Sequence, residues 1–138
     1  MNNTTQLHES LKAHGHSVTQ PRIQVFETLQ QTDEPLTVVE LSERLTDIDK
    51  VSVYRTVDTF ERLGIIHRVW NGFKSKVELS EPFSSHHHHF TCMKCGRTLS
   101  LKSEELEQTM RDFETTHGFI LVKHSVELSG YCSDCKET

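Results

Sequence analysis

Apolar positions recur at helical spacing through the first sixty-odd residues and then switch to strand spacing. Residues 7–14 form a short helix candidate. A second helix opens at Gln20-Pro21-Arg22, with proline in a tolerated early position and Ile23, Val25, Phe26 and Leu29 as its apolar stripe. Thr37-Val38-Val39-Glu40 reads as a capping box, Leu36 can staple onto Leu41, and Val38, Leu41 and Leu45 form the inward face. A fourth helix is expected after Lys50-Val51, capped by Ser52, burying Val53, Val57, Phe60 and Leu63 and stopping at Gly64. Two extended runs, 65–70 and 73–79, flank Asn71-Gly72, a two-residue hairpin signal. Short helices followed by a hairpin describe a winged helix-turn-helix.

The pattern beyond residue 80 is different. Glu81-Pro82-Phe83-Ser84-Ser85 reads as a linker, which divides the chain into 1–80, a hinge at 81–85, and 86–138. Residues 86–92 can run as a strand and 98–101 can return beside it. Ser103 caps a helix with Leu106, Met110 and Phe113 on one face, ending near Gly118. Residues 119–128 alternate, placing Ile120, Val122, His124, Val126 and Leu128 on one side. The fold class expected is α+β: a winged helix, then a small α/β unit.

Composition sharpens this picture. Only 34% of the 138 residues are hydrophobic, so the cores are small and a metal, disulfides or oligomerisation is expected to support them. No apolar run approaches transmembrane length, and the polar start is not a signal peptide, so a cytoplasmic protein is expected. The net charge of −5 is split between nine basic and eleven acidic groups in 1–80, and six and nine in 81–138. Any contact with nucleic acid therefore depends on local placement of charge. On the fourth helix Tyr54 and Arg55 are placed to meet base edges, Thr56 and Thr59 to meet phosphates, and Lys74 and Lys76 sit on the wing.

All four cysteines fall in two CxxC pairs, Cys92/Cys95 and Cys132/Cys135. Four thiolates satisfy tetrahedral zinc, and each CxxC turn brings two sulfurs to one ion; two redox disulfides are the alternative. Ahead of the first pair stands His86-His87-His88-His89. Strand alternation puts His86 and His88 on one face and His87 and His89 on the other, so one tetrapeptide can serve two metal centres. No HExxH, GxSxG, GxxxxGK[ST] or GxGxxG pattern occurs, and nothing points to an enzyme or a small-molecule substrate.

The stretches 15–22 (GHSVTQPR), 51–64 (VSVYRTVDTFERLG), 86–96 (HHHHFTCMKCG) and 117–135 (HGFILVKHSVELSGYCSDC) resemble the ferric uptake regulator family of metal-responsive repressors. The resemblance implies a homodimer, held by the second domain, that binds inverted-repeat operator DNA when loaded with metal. It implies structural zinc on Cys92, Cys95, Cys132 and Cys135, and DNA contacts from Arg22, Ser52, Tyr54, Arg55, Thr56, Thr59, Lys74 and Lys76. A second non-cysteine centre resembles His86, His88, Glu107 and His124; the family often has Asp where His88 stands. The regulatory centre resembles Glu78, His87 and His89. Here the chain departs from the iron-sensor pattern, with Pro35-Leu36 and Ser100 where that pattern has ligands. Zinc-sensing members use a ligand from the wing strand, which His67 supplies, giving three nitrogens and one oxygen. The regulatory ion implied is Zn²⁺ or Fe²⁺, with Mn²⁺ a further candidate. A peroxide- or redox-responsive regulator of the same family, or a zinc storage or chaperone protein that binds no DNA, are the competing readings.

Overall fold

In the computed structural model, which describes residues 2–71 and 74–137, side-chain caps set where the helices begin. Asn2 accepts the Thr5 amide at 2.8 Å and opens α1 (Asn3–Ala13), four residues ahead of the apolar stripe that betrays it in the sequence. Thr19 opens α2 (Gln20–Gln31), and Thr37 accepts the Glu40 amide at 3.0 Å to open α3 (Val38–Arg44). The cap of α4 (Lys50–Arg62) is Asp49, which accepts the Ser52 amide at 3.0 Å. Ser52 is therefore in the first turn, not at the cap: a carboxylate three residues earlier reaches the same orphan donors and adds a favourable charge at the positive end of the helix.

The chain divides into two compact units, Met1–Ser85 and His86–Thr138. In the first, Leu7 and Leu11 of α1, Phe26 of α2, Leu41 of α3 and Val53 and Phe60 of α4 are buried in one core. Two antiparallel strands, β1 (Ile66–Asn71) and β2 (Lys74–Leu79), cover its side, pairing Ile66 with Leu79 and His67 with Glu78. Leu36 and Val77 exchange backbone hydrogen bonds, tying the hairpin to the entry of α3. Gly72 of the expected Asn71-Gly72 turn, and Phe73 after it, lie outside the described residues. The segment read as a linker, 81–85, lies inside this unit. Phe83 packs edge-on to Phe26 at 5.2 Å, and the Asn3 side chain donates to the Phe83 carbonyl at 3.1 Å.

The second unit is a three-stranded sheet in the order β4-β3-β5, with one helix. β3 (His88–Cys92) pairs antiparallel with β4 (Thr98–Leu101) and parallel with β5 (Glu127–Gly130). Between them runs α5 (Glu104–His117), capped by Ser103 and closed at Gly118, whose φ of 72° is the left-handed conformation a helix stop favours. The alternating segment departs from expectation: residues 119–126 form no strand, and Ile120 and Val122 are 85% and 92% exposed. Alternation marks a chain able to pair, but among the described residues this stretch meets β3 only at its end, where the Val126 carbonyl accepts the His89 amide at 3.3 Å. Among the described residues no helix is long and apolar enough to cross a membrane.

Candidate metal centres and nucleic-acid interface

The tight turns after β3 and β5 bring the four cysteines together. The Gly96 amide returns to the Cys92 carbonyl at 3.0 Å, and the Cys135 amide to the Cys132 carbonyl, also at 3.0 Å. The four sulfurs lie within 4.8 Å of one another, with Cys95 and Cys132 Sγ 3.8 Å apart. Four sulfurs around zinc at about 2.3 Å would stand roughly 3.8 Å from each other, whereas a disulfide needs about 2.05 Å. The electrostatics agree. The Cys92 sulfur accepts the Cys95 and Cys132 amides at 3.5 and 3.4 Å, which draws its thiol down to about 6. Cys135, facing Cys132 and then withdrawn from water, is pushed up to about 12. A divalent cation at this centre would favour the ionised form of the raised Cys135 thiol as well.

The histidine run divides as alternation requires. The rings of His86 and His88 meet at 4.7 Å, and those of His87 and His89 at 4.8 Å. Two of them converge on Glu107 of α5 together with His124. His88 Nε2 lies 2.7 Å and His86 Nε2 3.4 Å from Glu107 Oε1, while His124 Nε2 is 2.7 Å from Oε2 and 3.1 Å from His86 Nε2. Burial acts to raise the Glu107 pKa, but hydrogen bonds from His88 and His124 and the nearby charges of His124 and His86 outweigh it, leaving the carboxyl below its ordinary value. A mostly imidazole set with one ionised carboxylate is a donor set for zinc or another borderline divalent cation.

On the other face, His89 Nδ1 lies 3.3 Å from Glu127 Oε1. Sequence reasoning missed this glutamate, because a parallel pairing of residues 38 apart leaves no local signature. In the first unit His67 and Glu78, cross-strand partners, meet at 2.9 Å, and the other ring nitrogen of His67 lies 2.8 Å from Ser80 Oγ.

The expected DNA-contacting residues separate by burial. Tyr54 and Arg55 are exposed on α4, and Lys74 is exposed at the start of β2. Ser52 is half-buried, with its carbonyl accepting the Thr56 hydroxyl at 2.8 Å. Arg22 donates to the Ser17 carbonyl at 2.6 Å, which pins it beside the start of α2. Three assignments need correcting. Thr56 and Thr59 lie on the core side of α4, only 5% and 7% exposed, and Lys76 is buried on the wing at 9%. Hydroxyls and an ammonium so enclosed cannot reach phosphates, because the positions fall on the inward side of their elements.

The model of the Ferric uptake regulator family matches residues 13–129. The ferric uptake regulation protein of Klebsiella pneumoniae is 34% identical over 142 residues, covering 97% of this chain and 90% of that protein. Among solved structures, the ferric uptake regulator of Vibrio cholerae is 33% identical with a TM-score of 0.74, covering 91% of this chain and 98% of its own. A zinc-bound manganese uptake regulator is 31% identical with a TM-score of 0.71, at the same coverage.

Proposed function

This chain belongs to the ferric uptake regulator family, whose members are transcriptional regulators and not enzymes, and from that premise we propose that it is a metal-dependent repressor of metal-homeostasis genes. It acts in the cytoplasm as a homodimer on inverted-repeat operator DNA. The observation that carries this reading is the pairing of His67 with Glu78 on the wing strands, a few residues ahead of the segment bearing His87 and His89. An ion taken by Glu78, His87 and His89, with His67 as the wing's further donor, would tie the DNA-binding unit to the second unit. Three nitrogens and one oxygen favour Zn²⁺ over Fe²⁺ or Mn²⁺ as that ion.

The remaining parts support the same reading. Cys92, Cys95, Cys132 and Cys135 hold structural Zn²⁺, which supplies folding free energy to a unit whose helix α5 has no buried residue of its own. The His86, Glu107 and His124 cluster holds a further cation. The exposed Phe113, Phe119, Ile120 and Val122, the last three in a segment that forms no strand, suit a second copy of the chain. Tyr54 and Arg55 read base edges in the major groove, while Arg22, Ser52 and Lys74 position the backbone.

The test is selection from a random duplex library by the protein loaded separately with Zn²⁺, Fe²⁺ or Mn²⁺, followed by anisotropy on the selected duplex. One metal should raise affinity for that duplex far above an unrelated one, and His89→Ala should abolish the gain while keeping the cysteine-bound zinc. Metal uptake without sequence-dependent binding would point instead to storage. Binding that responds to oxidant and ignores metal would point to a redox regulator.

A further inference from the structure

His88 is drawn into the Glu107 cluster by distance, yet the direction of its hydrogen bonds sets it apart from His86 and His124. We infer that His88 is the residue that positions Glu107 and not a ligand, so that the centre is a three-donor set of His86, Glu107 and His124. The inference rests on reading this cluster as a cation site, and it goes further by assigning each side chain its part.

The Val126 backbone N–H points at His88 Nδ1, 3.0 Å away. A peptide N–H can only donate, so the Nδ1 lone pair is occupied and the ring carries its own hydrogen on Nε2. That Nε2–H faces Glu107 Oε1 at 2.7 Å, and the carboxylate accepts it. A ligating imidazole needs the reverse arrangement: a lone pair on the nitrogen facing the metal, and an N–H on the other, donated to a carboxylate or carbonyl. His88 is also 2% exposed, so water cannot take over either partner. If the ring turned its Nε2 lone pair to an ion, both nitrogens would need lone pairs, or the Val126 N–H would lose its acceptor on the ring. Val126 is held from both sides, since its carbonyl accepts the His89 amide at 3.3 Å. The imidazole of His88 is therefore part of what fixes the entry to β5.

His86 and His124 are placed differently. Their Nε2 atoms face each other at 3.1 Å, and both face Glu107. Two imidazole nitrogens bound to one zinc at about 2.0–2.1 Å in tetrahedral geometry lie roughly 3.4 Å apart, close to this separation. With an ion bound, these two Nε2 atoms and the Glu107 carboxylate would converge on it, the His124 ring giving up the Nε2–H that it donates to Glu107 without an ion, an exchange that the Val126 N–H on Nδ1 bars to His88.

The test is histidine-ring ¹⁵N spectroscopy of the full-length protein with ¹¹³Cd²⁺ as the probe. His86 and His124 should show cadmium–nitrogen coupling at Nε2. His88 should keep its Nε2–H form, with and without cadmium, and show no coupling. In parallel, His88→Asn should retain the ion with affinity reduced about ten- to a hundredfold, the usual cost of losing a residue that orients a ligand. His124→Ala should lose it. Cadmium coupling to His88, or loss of the ion in His88→Asn as complete as in His124→Ala, overturns this assignment while leaving the cation site standing. Absence of coupling to His86 and His124 in the parent removes the cation site and this inference with it.

Discussion

Arg55 stands exposed on α4, while its neighbour Thr56 is buried and donates its hydroxyl to the Ser52 carbonyl at 2.8 Å. Adjacent polar residues on a helix point about 100° apart, so only one of them faces a nucleic acid. The same distinction applies on the wing, where Lys74 is exposed and Lys76 is not. Arg55→Ala should weaken binding to the selected duplex by ~1–3 kcal/mol, the scale of a specific base contact. Lys74→Ala should lower the slope of log affinity against log salt by about one. Lys76→Ala should leave that slope unchanged, and titrations across salt concentrations separate the two lysines. Residue type alone suggested all of these contacts. Burial, which depends on the register of strands and the roll of a helix, decided between them.

At the scale of elements, side-chain periodicity located the helices well and their starts less so. The apolar course Val53, Val57, Phe60 marks the inner side of α4, and Phe60 is fully buried there. Phe60→Ala should cost the first unit about 3–5 kcal/mol, read as a lowered denaturant midpoint with cooperativity preserved. The start of α4 was misplaced because Asp49 precedes the apolar pattern and its capping role is visible only in the bond to the Ser52 amide. A hydrogen bond from the Ser52 side chain, then the one from its amide and last the charge of Arg55, hold the Asp49 carboxyl below its ordinary 3.8. A carboxyl depressed in the folded state stabilises fully above its unfolded pKa, and the benefit is lost as pH falls through the lower folded value. Asp49→Asn keeps a good cap, so thermal unfolding of parent and variant should differ little at pH 2. The parent should gain on the variant as pH rises past 4. The parallel pairing of β3 with β5 had no local signal at all, and the alternation of 119–128 promised a strand that one chain does not complete.

At the scale of the whole molecule, the metal chemistry was the part most legible in the sequence. Two CxxC pairs and a histidine run encode convergence through short-range geometry, and the cysteines and the His86–Glu107–His124 cluster do converge. Glu127 beside His89, and the Val126 amide on His88, depend on chain returns that no local pattern announces. Cys95→Ser should lose the tightly held zinc together with most of the stability of the second unit, measured by metal analysis and by loss of the dimer on sizing columns. The central claim is that one ion couples the two units to DNA, and linkage tests it most directly. The affinity of the regulatory metal should be measured with and without saturating selected duplex. The account predicts that DNA tightens metal binding by the same factor by which metal tightens DNA binding, about 5- to 150-fold. It also predicts that His89→Ala reduces both factors to one. Metal binding that is indifferent to saturating DNA in the parent protein would contradict it.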